Sequence, residues 1–116
     1  MGQERKNMKL GIATLAGLVL VLGSATTQAQ DVSAAEALMK KSGCLKCHSV
    51  SAKKEGPPFK ETAAKYKGKA DAEDALFKHL TTNPKVKVDG KEELHDNLKT
   101  KNEADVKNVV KYILSR

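Results

Sequence analysis

Two cysteines stand three residues apart and a histidine follows the second at once: Cys44-Leu45-Lys46-Cys47-His48. Two thiols at this spacing can add to the two vinyl groups on neighbouring rings of one haem. The imidazole next in the chain is then carried under the ring to the iron, which is the chemistry of the C-x-x-C-H attachment motif. Three other uses of these residues are weighed. A thioredoxin-type redox pair needs a βαβ setting, and no such pattern is present. A zinc site could draw on Cys44, Cys47, His79 and His95, but their spacing matches no common finger. A disulfide between Cys44 and Cys47 would close a tiny loop and staple nothing distant. The motif therefore points to one covalent haem c, with Cys44 and Cys47 as its anchors and His48 as an iron ligand.

The start of the chain agrees with attachment outside the cytoplasm. Arg5, Lys6 and Lys9 precede an apolar run, Leu10–Gly23, and Ser24–Gln30 is short and polar. That order describes a secretory signal peptide, with cleavage expected after Ala29. As a membrane anchor the run is short: about 14 residues give roughly 21 Å of helix against a hydrocarbon core of about 30 Å. The expected organisation is thus a cleaved signal peptide, residues 1–29, and one small domain, residues 30–116. No stable membrane insertion is expected after cleavage. The remaining domain has a net charge of +5 and just four aromatic residues, Phe59, Tyr66, Phe77 and Tyr112. So small a core is marginal by itself and needs a supplement, which a covalently held haem provides. The shortage of stacking aromatics, together with secretion, argues against nucleic acid as a partner.

Helical signals dominate the domain. Ser33-Ala-Ala-Glu36 has the form of a capping box and predicts a helix over 33–42 that ends at Gly43. Gly56-Pro57-Pro58 marks a loop. Phe59, Ala63 and Tyr66 share a stripe that predicts a helix over 59–69, closed by Gly68. Asp71, Glu73 and Asp74 open a further helix in the orientation the macrodipole favours, and Asn83-Pro84 stops it. Val106, Val109, Val110, Ile113 and Leu114 repeat at helical spacing behind a cap at Asn102, predicting a last helix over 102–115. Residues 84–101 show no clear period beyond a turn signal at Asp89-Gly90, and no strand is predicted. The expected fold is all-α, with about four helices.

Cys44–His48 near the start of the domain, Gly56-Pro57-Pro58-Phe59 soon after it and a closing amphipathic helix together resemble the class I cytochromes c. The resemblance spans nearly all of 33–116. It implies four helices wrapped around a single haem, with helix 33–42 against helix 102–115. It also implies that the Pro57 carbonyl orients the His48 imidazole, a contact that fixes ring tautomer. Members usually supply a methionine as sixth ligand from the loop before the last helix. The methionines here are Met1, Met8 and Met39, and Met39 is expected in the core. The loop offers His95, eleven residues before Val106, in the family's ligand position. His79, a lysine, water or an open site are the alternatives. Glu92, Glu93 and Asp96 flank His95 and are expected to raise its pKa, opposing ligation.

His48 and His95 as paired axial ligands imply a non-enzymatic electron carrier. It would be periplasmic, monomeric and passed between other redox proteins. Lys46, Lys53, Lys54, Lys60, Lys65, Lys67 and Lys69 would steer it toward acidic docking surfaces. If His95 detached, the same chain would instead bind or sense a diatomic gas, or act as a weak peroxidase.

Overall fold

The computed structural model describes residues 30–116, so the expected signal peptide, 1–29, and its cleavage site lie outside the described residues. Four helices form, as expected: α1 (Val32–Lys41), α2 (Phe59–Tyr66), α3 (Ala72–Thr81) and α4 (Glu103–Leu114). A 3₁₀ turn at Cys44–Lys46 follows α1. Among the described residues no helix is long and apolar enough to cross a membrane.

Helix α4 is the axis on which the others are assembled. Its Val106, Val109, Val110, Tyr112 and Ile113 are all buried, and α1, α2 and α3 each pack against it. Asn102 caps its start, the side chain accepting from Ala104 N–H at 2.9 Å. The α1–α4 pairing implied by the resemblance is present. Ala35 and Met39 are its buried face on α1. Two hydrogen bonds join the helices end to side: Asp31 N–H donates to Asn108 Oδ1 at 2.9 Å, and Asn108 Nδ2 donates to Asp31 O at 2.8 Å. Lower down, Tyr112 Oη donates to Glu36 Oε1 at 3.1 Å.

Boundaries differ from the sequence reading where caps compete. Asp31, not Ser33, starts α1: its backbone is extended and its carboxylate accepts from Ala34 N–H at 2.9 Å. An aspartate two residues upstream satisfies the orphan donor first, so the Ser33–Glu36 box is not used. Helix α2 stops at Tyr66 instead of Lys69, because Lys67 turns extended (ψ 125°) before Gly68 enters the left-handed region.

The larger correction lies in 84–101, where a strand pair was not expected. Lys85–Val88 (β1) and Lys91–Leu94 (β2) pair antiparallel in the register Lys85↔Leu94 to Val88↔Lys91. Asp89 and Gly90 both have positive φ, 49° and 79°, which gives the two-residue turn whose twist suits a hairpin. The strands were hard to read because β2 is exposed throughout and so lacks an apolar alternation. The Lys85–Glu92 ion pair across them, 2.9 Å and well exposed, adds little.

Met39 is 1% exposed and packs in the core as expected. Met39→Ala is therefore expected to cost about 2–5 kcal/mol in denaturant unfolding. Met39→Leu should stay within about 1.5 kcal/mol of the parent. A Leu variant as damaged as the Ala variant would mean that the sulfur does something other than fill space.

Candidate haem site

The attachment segment is shaped by the end of α1. Gly43, at φ 77°, takes a conformation that side-chain-bearing residues avoid, and so redirects the chain into the 3₁₀ turn. Within that turn Cys47 N–H and His48 N–H both donate to Cys44 O, at 3.2 and 2.9 Å. One tight turn thus fixes both thiols and the imidazole relative to each other. Cys44 and Cys47 are free thiols. Burial pushes the Cys44 pKa up. The Cys47 pKa rises chiefly because its thiol donates to Glu55 Oε2, at 3.3 Å.

The Gly56-Pro57-Pro58 loop then folds over the His48 ring. Gly56 N–H donates to Cys47 O at 2.7 Å, and a Cβ at Gly56 would run into His48 Cε1. Space, not backbone conformation, requires glycine there. His48 Nδ1 lies 2.8 Å from Pro57 O. A protonated Nδ1 donates to that carbonyl, leaving Nε2 with its lone pair. Phe59 stacks on the same ring, centroids 5.5 Å apart and planes 20° apart.

His95 approaches from the hairpin. Its ring centroid is 6.1 Å from that of His48 and 4.4 Å from that of His79. His95 thus lies near each of the other two histidines, which are scattered along the sequence. Burial, and then the nearby His48, hold the His95 pKa below the usual histidine value, outweighing Asp96. This corrects the expectation that flanking acids would raise it. Glu92 is engaged by Lys85, and Glu93 acts on Cys47 instead. His79 is likewise lowered, by burial and then by His95. Both rings are therefore neutral near pH 7, the form that binds metal.

These residues fit the group the motif implies. Two metal–imidazole bonds of about 2 Å, with each ring centre about 1.1 Å behind its nitrogen, set two facing rings about 6.2 Å apart; the observed separation is 6.1 Å. The Gly56 cradle leaves the His48 ring its room. His95 Nδ1 is buried without a hydrogen-bond partner, an orphan of the kind that collects at ligand sites. The rival zinc reading is not supported: among the described residues no three His, Cys, Asp or Glu side chains converge as a metal cage. The lysines do not form a single patch. Lys54 Nζ donates to Leu45 O at 2.8 Å, inside the attachment segment. Lys60, Lys67 and Lys69 instead line an open groove with Arg116, between α2 and the end of α4.

The sequence profile of the family described as Cytochrome c matches residues 32–116. Among curated proteins, cytochrome c-551 of Allochromatium vinosum is 49% identical over 53 residues, 46% of this chain and 56% of its own length. Cytochrome c-551 of Pseudomonas aeruginosa is 38% identical over 65 residues, 54% of this chain and 62% of its own. The chain thus spans about three-fifths of the length of these curated relatives. A solved structure, the class 1 cytochrome MtoD of Sideroxydans lithotrophicus ES-1, superposes with a TM-score of 0.72 at 47% identity, covering 75% of this chain and 97% of that one. Wild-type cytochrome c552 of Nitrosomonas europaea superposes at 0.55 and 30% identity, over 69% and 96%. The profile match, the four helices and the Cys44–His48 attachment turn together establish that this chain belongs to the cytochrome c family, as a class I member that carries one covalent haem c.

Proposed function

We propose that this protein is a periplasmic one-electron carrier whose haem is anchored by Cys44 and Cys47 and ligated on its two faces by His48 and His95. The observation that carries the reading is the 6.1 Å separation of the two imidazoles, with His48 already oriented by Pro57 O at 2.8 Å. Haem supplies a one-electron iron couple when bound. The residues around it decide how that couple is used. Pro57 fixes the His48 tautomer and leaves Nε2 toward the metal. His95, kept neutral by burial, would hold the iron from the other face and so would leave no position for a substrate. Phe59 stacks on the His48 ring.

A histidine in place of methionine removes a ligand that raises the reduction potential. The midpoint is therefore expected below those of His/Met relatives under the same conditions, and a value at or above theirs would refute His95 ligation. Oxidised wild-type protein should give a low-spin bis-histidine EPR signal. His95→Ala should move a large share of the ferric protein to high spin and admit carbon monoxide to the ferrous form. If wild type takes up carbon monoxide as readily as His95→Ala does, the gas-binding or peroxidatic reading replaces the carrier.

The partner is a redox protein with an acidic docking face, met by a monomer of this chain. The docking surface follows from the attachment segment, where exposed Leu45 sits with Lys46 and Lys54. Bimolecular electron-transfer rates should fall as ionic strength rises from about 10 mM to about 0.5 M. Lys46→Glu and Lys54→Glu should slow transfer several-fold, and Lys67→Glu and Lys69→Glu much less. A flat salt profile, or equal effects at both sites, would remove the attachment segment as the docking face.

A further inference from the structure

His95 hangs from a weakly anchored part of the chain. Strand β2 is exposed along its length and Leu94, next to His95, is 66% exposed. A two-stranded ribbon by itself is marginal in water. Something other than strand burial must set where the His95 ring stands, and the hydrogen bonds at the hairpin's root are placed to do it.

Two asparagines, Asn83 before the hairpin and Asn97 after it, bond to each other, and Asn83 bonds to the His95 carbonyl. Asn83 N–H donates to Asn97 Oδ1 at 2.8 Å, and Asn97 Nδ2 donates back to Asn83 Oδ1 at 2.9 Å. Asn83 Nδ2 donates to the carbonyl of His95 itself, at 3.0 Å, while His95 N–H donates to Pro84 O at 2.8 Å. Asn97 Nδ2 also donates to Thr81 O at 3.0 Å, and Leu98 N–H donates to Leu80 O at 3.0 Å. Those two carbonyls belong to the last turn of α3, where a helix has acceptors without intrahelical donors. The latch is thus anchored on a helix whose Leu76 and Leu80 are buried in the core. All four side-chain polar atoms of the pair are engaged. Asn83 also sits at φ 47°, a left-handed conformation that asparagine tolerates better than most residues. One residue both turns the chain and closes the latch.

We propose that Asn83 and Asn97 are positioning residues for His95, an amide-to-amide latch that holds its imidazole opposite His48 and slows its departure from the iron. The proposal rests on His95 being the sixth ligand. It adds what decides between a closed carrier and an open ligand-binding site, namely how often the hairpin root parts. Neither asparagine touches the metal; Asn83 acts through the His95 carbonyl, and Asn97 acts by tying Asn83 to Thr81 at the end of α3.

The experiment uses the holoprotein with haem attached and reads carbon monoxide association by the ferrous form, together with ferric EPR. Asn97→Ala removes three of the latch bonds. Asn83→Gly keeps the left-handed backbone available and removes only the side chain, and serves if Asn97→Ala does not fold. Asn102→Ala removes an asparagine cap on α4, away from the site, as a measure of ordinary destabilisation. Both latch variants are expected to take up carbon monoxide on the order of tenfold faster than wild type, since each loses two or more hydrogen bonds. A high-spin fraction should appear beside the bis-histidine signal, and added imidazole should return it to low spin. Asn102→Ala should match wild type in rate and signal. Wild-type rates in both latch variants, or an equal acceleration in Asn102→Ala, would overturn the latch. A wild-type protein without a bis-histidine signal would overturn the ligation on which the latch rests, and EPR of the wild type alone distinguishes that failure.

Discussion

Two imidazoles that are to hold one haem iron from its opposite faces would stand about 6 Å apart, ring centre to ring centre. His48 and His95 meet this at 6.1 Å, and the rest of the domain can be understood as what holds that distance. His48 is tied to α1 through the Gly43 bend and the 3₁₀ turn. His95 is tied to α3 through the hairpin root. Neither helix fixes the separation alone. Both lie against α4, so the five buried residues of α4 are the common reference for the segments that carry His48 and His95. Ser42 adds a direct cross-tie, its buried Oγ accepting from Lys99 N–H at 2.9 Å, between the start of the attachment turn and the approach to α4.

How much of this could be read from sequence depended on how local its cause is. The attachment turn was legible because its chemistry sits in five consecutive residues. Helix α4 was legible because its apolar period and its Asn102 cap agree. The Asp31 cap was missed because a serine with a glutamate three residues on is a stronger pattern than a lone aspartate, yet the extended backbone at Asp31 wins the Ala34 N–H. The hairpin was missed for a different reason. Its strands alternate charged with apolar residues in β1 alone, and Asp89-Gly90 by itself says turn without saying what flanks it. Asn83 reads in the sequence only as part of a helix stop with Pro84, and Asn97 gives no signal at all. Fourteen residues apart, they become partners only when the hairpin brings its ends together.

The same hairpin explains why sequence proximity misjudged the charge around His95. A strand sends successive side chains to opposite faces, so neighbours in the chain need not be neighbours of the ring. Glu92 turns to Lys85 on the partner strand, and Glu93 is close enough to Cys47 to raise its pKa. The rings of His48 and His79 lie near His95, which is itself half-buried. Desolvation then dominates, and it disfavours the charged imidazole. Burial is the largest cause of the lowered pKa of both His95 and His79, with the neighbouring histidines next.

The two proposed ligands differ in how their second nitrogen is treated, and the difference follows from how each is held. His48 is fixed through its ring: Pro57 O takes Nδ1, Gly56 leaves the ring room and Phe59 lies along its face. Its orientation is therefore set by direct contacts, as ligating histidines usually are. His95 has no such bond at Nδ1, and His79 lies beside it at 4.4 Å without one. Its restraint comes from the main chain, through Pro84 O on one side and Asn83 on the other. A ring held by its backbone keeps rotational freedom about its own side-chain bonds, whereas a ring held at Nδ1 does not. The His48 side of the site is thus the rigid one, and under the proposed ligation any exchange of ligand would belong to the His95 side, where the strength of the hairpin root would set how far the ring can leave.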